Sequence, residues 1–92
     1  MNTTELKQLL FNKLQAEQTT FKKSDIHISK TNENKYTITL KDFEPFSFKL
    51  SLSTEDVTIS KYYNNEFCEL VTLADNTNEA ILYLGYYIAT RF

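Results

Sequence analysis

The chain has one histidine, one cysteine and one glycine, and that scarcity bounds the chemistry it can perform. His27 carries the imidazole, the usual general base. Strand pairing sets it beside Ser29, Thr37 and Thr39, the beginning of a Ser–His arrangement. Nucleophilic catalysis also needs an acid to orient the imidazole, a pair of oxyanion donors and a pocket. A flat sheet face supplies none of them, so His27 is expected to be an exposed residue on a polar strand. Cys68 stands between Glu66 and Glu69, and acidic neighbours oppose the thiolate that a nucleophile needs. A half-buried structural cysteine is expected there.

Zinc sites draw on several nitrogen or sulfur ligands, more than this chain can offer, and calcium-loop spacing is missing. Phosphate-cradling loops and the nucleophile elbow need several glycines. The expectation is a non-enzymatic protein with no catalytic, cofactor-binding or metal-ligating residues.

A binding surface is better supported. No basic residue falls between Lys61 and Arg91, whereas Glu66, Glu69, Asp75 and Glu79 all do. The same third of the chain holds Tyr62, Tyr63, Phe67, Tyr83, Tyr86 and Tyr87. Glu79, Tyr83, Tyr86 and Thr90 follow helical spacing and make one stripe, opposite Ile81, Leu84 and Ile88. Tyrosine combines a large contact area with a polar tip and is enriched at interfaces. The candidate partner-binding residues are therefore Tyr62, Glu66, Glu69, Glu79, Tyr83 and Tyr86.

The elements that would position these residues are legible from periodicity. From Ser24 to Leu73 apolar and polar residues alternate, the mark of strands with one buried face. Ile26 and Ile28 begin the pattern, followed by Tyr36, Ile38 and Leu40. Phe46, Phe48, Leu50 and Leu52 come next, then Val57 and Ile59, and a less regular run over 67–73. Consecutive hairpins predict Ile28 opposite Ile38, Ile26 opposite Leu40, and an outer charge pair between Asp25 and Lys41. With Phe43, Glu44 and Pro45 as a loop, Leu40 meets Phe48 and Ile38 meets Leu50. The next hairpin sets Leu52 against Val57 and Leu50 against Ile59. A loop of Asn64, Asn65 and Glu66 pairs Tyr63 with Phe67, Lys61 with Glu69, Ile59 with Val71 and Val57 with Leu73. Residues 66–74 also fit helical spacing, which would leave a four-stranded sheet, but β-branched Val71 and Thr72 favour the strand.

Asn2 and Glu5 have capping-box spacing, opening a helix to about Gln18 with Leu6, Leu9, Leu10 and Leu14 on one stripe. Phe21 follows in the connection beneath the helix end. Asn76 and Glu79 open a second helix, whose inner stripe is Ile81, Leu84, Ile88 and Phe92. Mid-helix Gly85 costs about 1 kcal/mol against alanine, which a close approach to the sheet or the first helix would explain. Asparagine and aspartate must supply the φ > 0 turns. The fold expected over residues 1–92 is a single α+β domain. A five-stranded antiparallel meander lies between N- and C-terminal helices, both on one sheet face.

Ninety-two residues suffice for one core. A net charge of −2 disfavours non-specific nucleic-acid binding. No apolar run approaches the ~20 residues of a membrane span, no signal peptide is recognisable, and a lone cysteine suits the cytoplasm. The functional expectation is a small protein-binding or regulatory module working through its acidic, tyrosine-rich C-terminal surface. Its partner would be another protein with a basic surface, or a second copy in a homodimer. Small acidic chains of this kind include inhibitors of host nucleic-acid enzymes encoded by phage and mobile elements, an analogy of fold and composition. The alternative is a nucleic-acid-associated protein using the Lys, Ser and Thr side chains of the outer sheet face, where only Tyr62 could stack a base.

Overall fold

Asn2 starts the first helix in both directions at once. Its Oδ1 accepts from the Glu5 N–H at 2.8 Å, and the Glu5 carboxylate accepts from the Asn2 N–H at 3.3 Å. Helix α1 (Thr3–Ala16) stops two residues short of the expected Gln18. Gln18 has turned left-handed (φ 61°), and the Thr19 N–H and hydroxyl both donate to the Leu14 carbonyl. These bonds take up an orphan carbonyl of the last turn and close the helix.

In the computed structural model, which describes residues 1–91, a 3-10 turn (Lys23–Asp25) leads into β1 (Ile26–Asn32). β2 (Lys35–Leu40), β3 (Phe46–Leu52), β4 (Val57–Tyr63), β5 (Glu66–Ala74) and helix α2 (Thr77–Arg91) follow. The strands form one open antiparallel sheet in the order β1-β2-β3-β4-β5, the expected meander, and residues 66–74 are strand. Leu6, Leu10 and Leu14 of α1 and Ile81, Leu84 and Ile88 of α2 are fully buried with Ile26, Ile38, Phe48, Leu50 and Ile59 of the sheet. Both helices thus cover the apolar face. Phe92, assigned above to the inner stripe of α2, lies outside the described residues.

Two hairpins have the expected register: Ile28 meets Ile38 and Ile26 meets Leu40, and Leu50 meets Ile59 and Leu52 meets Val57. Between β2 and β3 the expected pairing is displaced by two residues. Ile38 faces Phe48 and Tyr36 faces Leu50. The connection is longer than the expected loop because it contains two successive turns, closed by Phe43 N–H to Leu40 O and Phe46 N–H to Phe43 O, with Asp42 at φ 71°. A shift of two keeps every side chain on its face, so the core survives the error. Asp25 does not form the expected charge pair. Its carboxylate accepts from the Lys22 N–H at 2.9 Å, and only its backbone carbonyl meets Lys41, at 2.9 Å from the amide.

Candidate interaction surface

Asn64 and Asn65, both left-handed (φ 49° and 67°), make a two-residue turn between β4 and β5. Asparagine tolerates this conformation better than other non-glycine residues, and such turns match the twist of a hairpin. The loop is one residue shorter than expected, so Tyr63 pairs with Glu66 and Tyr62 with Phe67. Lys61 opposite Glu69 and Ser60 opposite Leu70 keep the expected register. Beyond them Ile59 meets Thr72 and Thr58 meets Leu73. Cys68 and Val71 are left without an opposite residue, so β5 carries two single-residue bulges.

The bulges turn Phe67 and Leu73 outward, where Leu70 already faces. Tyr62, Ser60 and Thr58 lie on the face away from the helices, since they alternate with buried Val57 and Ile59. Their partners Phe67, Leu70 and Leu73 share that face, where they are 61%, 54% and 61% exposed. Phe67 and Leu73 were expected on the buried side. Phe67 meets the Tyr62 ring edge-to-face at 5.9 Å, and the Lys49 ammonium sits 4.3 Å from the centre of the same Tyr62 ring. Tyr62 is therefore not the only aromatic on the outer face.

Glu69 points the other way, toward α2. Its Oε1 lies 3.4 Å from the Lys61 ammonium and accepts a hydrogen bond from the Tyr87 hydroxyl. Hydrogen bonds from Tyr87 and then from Lys61 hold the Glu69 carboxyl below its ordinary pKa. Hydrogen bonding with Tyr87 raises the Lys61 ammonium, against the smaller effect of its partial burial. The Tyr87 ring packs edge-to-face on Phe48 at 6.1 Å, with Arg91 stacked on it at 4.3 Å. Glu69 is thus tied into a structural cluster, and its charge is already answered.

On α2 the Asn76 side chain caps the first turn, accepting from the Glu79 N–H at 2.8 Å. Tyr83 and Tyr86 project outward, 54% and 52% exposed, with rings 6.4 Å apart in an edge-to-face pair. Tyr83 lies one helical turn before Tyr87 and so on the flank of α2 that overlooks β5. The opposite flank, at Gly85, faces α1.

The expected site residues therefore divide. Glu79, Tyr83 and Tyr86 share the outward side of α2, and Tyr62 lies on the far side of the sheet. Glu66 is exposed beside the β4–β5 turn, and Glu69 is engaged internally. Sequence reasoning missed Phe67, Leu70 and Leu73 as exposed residues. Their spacing of three was visible, but it read as a helical signal or as irregularity. Cys68 is exposed rather than half-buried, because it occupies a bulge on an edge strand. His27 is exposed on β1, opposite Thr39 and with Ser29 opposite Thr37. Among the described residues no group of three His, Cys, Asp or Glu could hold a metal ion, and no helix is long and apolar enough to cross a membrane. No protein family, curated protein or solved structure matches the chain.

Proposed function

We propose that this protein is a small binding module whose working surface is the β5 edge together with the outward side of α2. One observation carries the reading: on the two sides of one sheet edge, Phe67, Leu70 and Leu73 on the outer face of β5 and Tyr83 and Tyr86 on the outward side of α2 are each more than half exposed. Exposed apolar residues scattered singly are ordinary, but such a concentration marks a contact surface. Glu66, Asp75 and Glu79 border it without a basic residue among them, which suits a partner with a basic rim or a second copy of the chain. Regulation by steric occupation of another protein is the mode we assign, in the manner of small cytoplasmic inhibitors of nucleic-acid enzymes.

A second reading has one observation in its favour. Tyr62 and Phe67 lie together on the outer face beside Lys49, and adjacent aromatics next to a cation resemble a single-strand binding platform. Against it, Leu70 and Leu73 continue the row with aliphatic side chains, which offer no stacking. Titration with single-stranded and duplex oligonucleotides separates the two. The binding-module reading expects nothing tighter than about 100 μM at physiological salt, the weak edge of non-specific affinity. Low-micromolar binding with a steep salt dependence would make the nucleic acid the partner.

A further inference from the structure

We infer that β5 pairs antiparallel with β5 of a second copy, about a two-fold axis through Leu70. The inference rests on the binding surface proposed above and names its occupant. β5 is the last strand of an open sheet, so one side of its backbone is free to pair. The other edge, β1, carries His27, Lys30 and Asn32, whereas β5 contains no lysine and no proline. Charged side chains are a usual means of keeping edges apart, and β5 lacks the basic ones.

The facing pattern of β5 supplies the argument for a second copy. Phe67, Leu70 and Leu73 face outward. Glu66, Glu69, Thr72 and Ala74 oppose inward residues of β4, Val71 packs on the core, and Cys68 is the exposed extra residue of its bulge. Leaving out Cys68, the order from Glu66 to Ala74 is in, out, in, out, in, in, out, in. About Leu70 the facing is the same in both directions: Glu69 and Val71 face in, Phe67 and Leu73 out, and Glu66 and Ala74 in. Antiparallel strands match only when opposite residues share a face. A copy related by a two-fold axis at Leu70 satisfies this at Glu66 with Ala74, Phe67 with Leu73, Glu69 with Val71 and Leu70 with itself.

The chemistry agrees with the geometry. Leu70 meets its own twin, and Phe67 meets Leu73, so the exposed apolar row closes on itself. Glu69 lies opposite Val71, and Glu66 lies opposite Ala74, so no two acids face each other. Moving the axis to Glu69 would set two carboxylates opposite each other and break the face matching. Lys61 already pairs with the Glu69 charge within each copy, and the Tyr87 hydroxyl donates to it, which removes much of the repulsion between like strands. On the helix side the two α2 helices come side by side, with Tyr83 on the flank toward the seam. The product is a continuous ten-stranded sheet of the closed, isologous kind.

The test is register-specific. Sedimentation equilibrium of the full chain should show a dimer at about 100 μM, where an interface of standard size is saturated. Leu70→Lys should make it monomeric with its circular dichroism unchanged, because Leu70 is more than half exposed and lies outside the core. In a Cys68→Ser background, Leu70→Cys should yield a covalent dimer on mild oxidation, while Leu73→Cys, which faces Phe67, should not. A monomeric wild type overturns the inference, and so does a dimer that Leu73→Cys cross-links as readily as Leu70→Cys. A wild-type monomer that binds a different protein, with binding lost in Leu70→Lys, would overturn self-pairing yet leave the binding surface standing.

Discussion

A β-carbon on Gly85 would lie 2.3 Å from Cγ of Lys13 and 3.0 Å from its Cβ, so the two helices cross at the chain's one glycine. The mid-helix cost of glycine is offset by this close approach. Gly85→Ala gains about 1 kcal/mol of helix propensity but forces the Lys13 stem or the helix to move, at about 1–3 kcal/mol. The expected outcome is a net loss of stability in urea melts. Shortening the obstructing side chain with Lys13→Ala should recover part of it, so the double variant should melt above Gly85→Ala alone.

Leu50 tests the sheet. It is fully buried between Tyr36 and Ile59, and Leu50→Ala should cost about 2–5 kcal/mol. Ser51 faces outward between Lys35 and Thr58, and Ser51→Ala should change stability by less than about 0.5 kcal/mol. Equal losses at both positions would mean that the strand is turned over.

Gln18 occupies the left-handed position just past α1, at φ 61°. Glycine adopts it without the Cβ clash that other residues bear, so Gln18→Gly should stabilise the protein by about 0.5–1 kcal/mol. A lower midpoint in the variant would show that the Gln18 side chain contributes more than its backbone costs.

The Lys61–Glu69–Tyr87 cluster makes stability depend on pH in a stated direction. Glu69 has a depressed pKa in the folded protein, so its contribution is complete above its unfolded pKa and lost as pH falls through the folded one. Lys61 has a raised pKa, so its contribution is present below its unfolded value of 10.5 and lost as pH climbs through the higher folded value. Tyr87→Phe keeps the ring contacts with Phe48 and Arg91 but removes the hydroxyl donor. The variant should lose less stability than wild type across the acid limb, as measured by melts from neutral pH down to about 3, below the ordinary carboxylate range. An unchanged acid limb would show that the hydroxyl does not hold Glu69.

Tyr83 and Tyr86 test the contact surface. Replacing both by alanine should leave the melting temperature nearly unchanged and weaken association, with self or partner, by about 2 kcal/mol or more, the scale of an aromatic hot spot. A variant that melts several degrees lower and associates as before would mean that the tyrosine pair braces the fold and is not a contact surface.

The chain's periodicities alone settled the element order, the meander, the face each helix covers and most of the core. Alternation and helical spacing are local properties, and each agrees with the fold around it. The capping box at Asn2 and Glu5, the left-handed asparagines between β4 and β5 and the close contact at Gly85 were legible for the same reason, since each is a residue type required by one backbone geometry, although the asparagine loop is one residue shorter than its composition suggested. The β2–β3 register was not, because two successive turns between Leu40 and Phe46 depend on bonds that composition does not specify. The surface of β5 was hidden most completely. Spacing of three at Phe67, Leu70 and Leu73 belongs to neither a regular strand nor a clean helix, and it acquires meaning only when β4 fixes which residues bulge. Likewise the acidity of Glu69 was plain in the sequence, but only packing brought Lys61 and Tyr87 onto it and converted a candidate binding residue into a brace between sheet and helix. Side-chain facing and charge compensation are set by neighbours distant in the chain, which is why the scaffold could be read from the residues and the working surface required the fold.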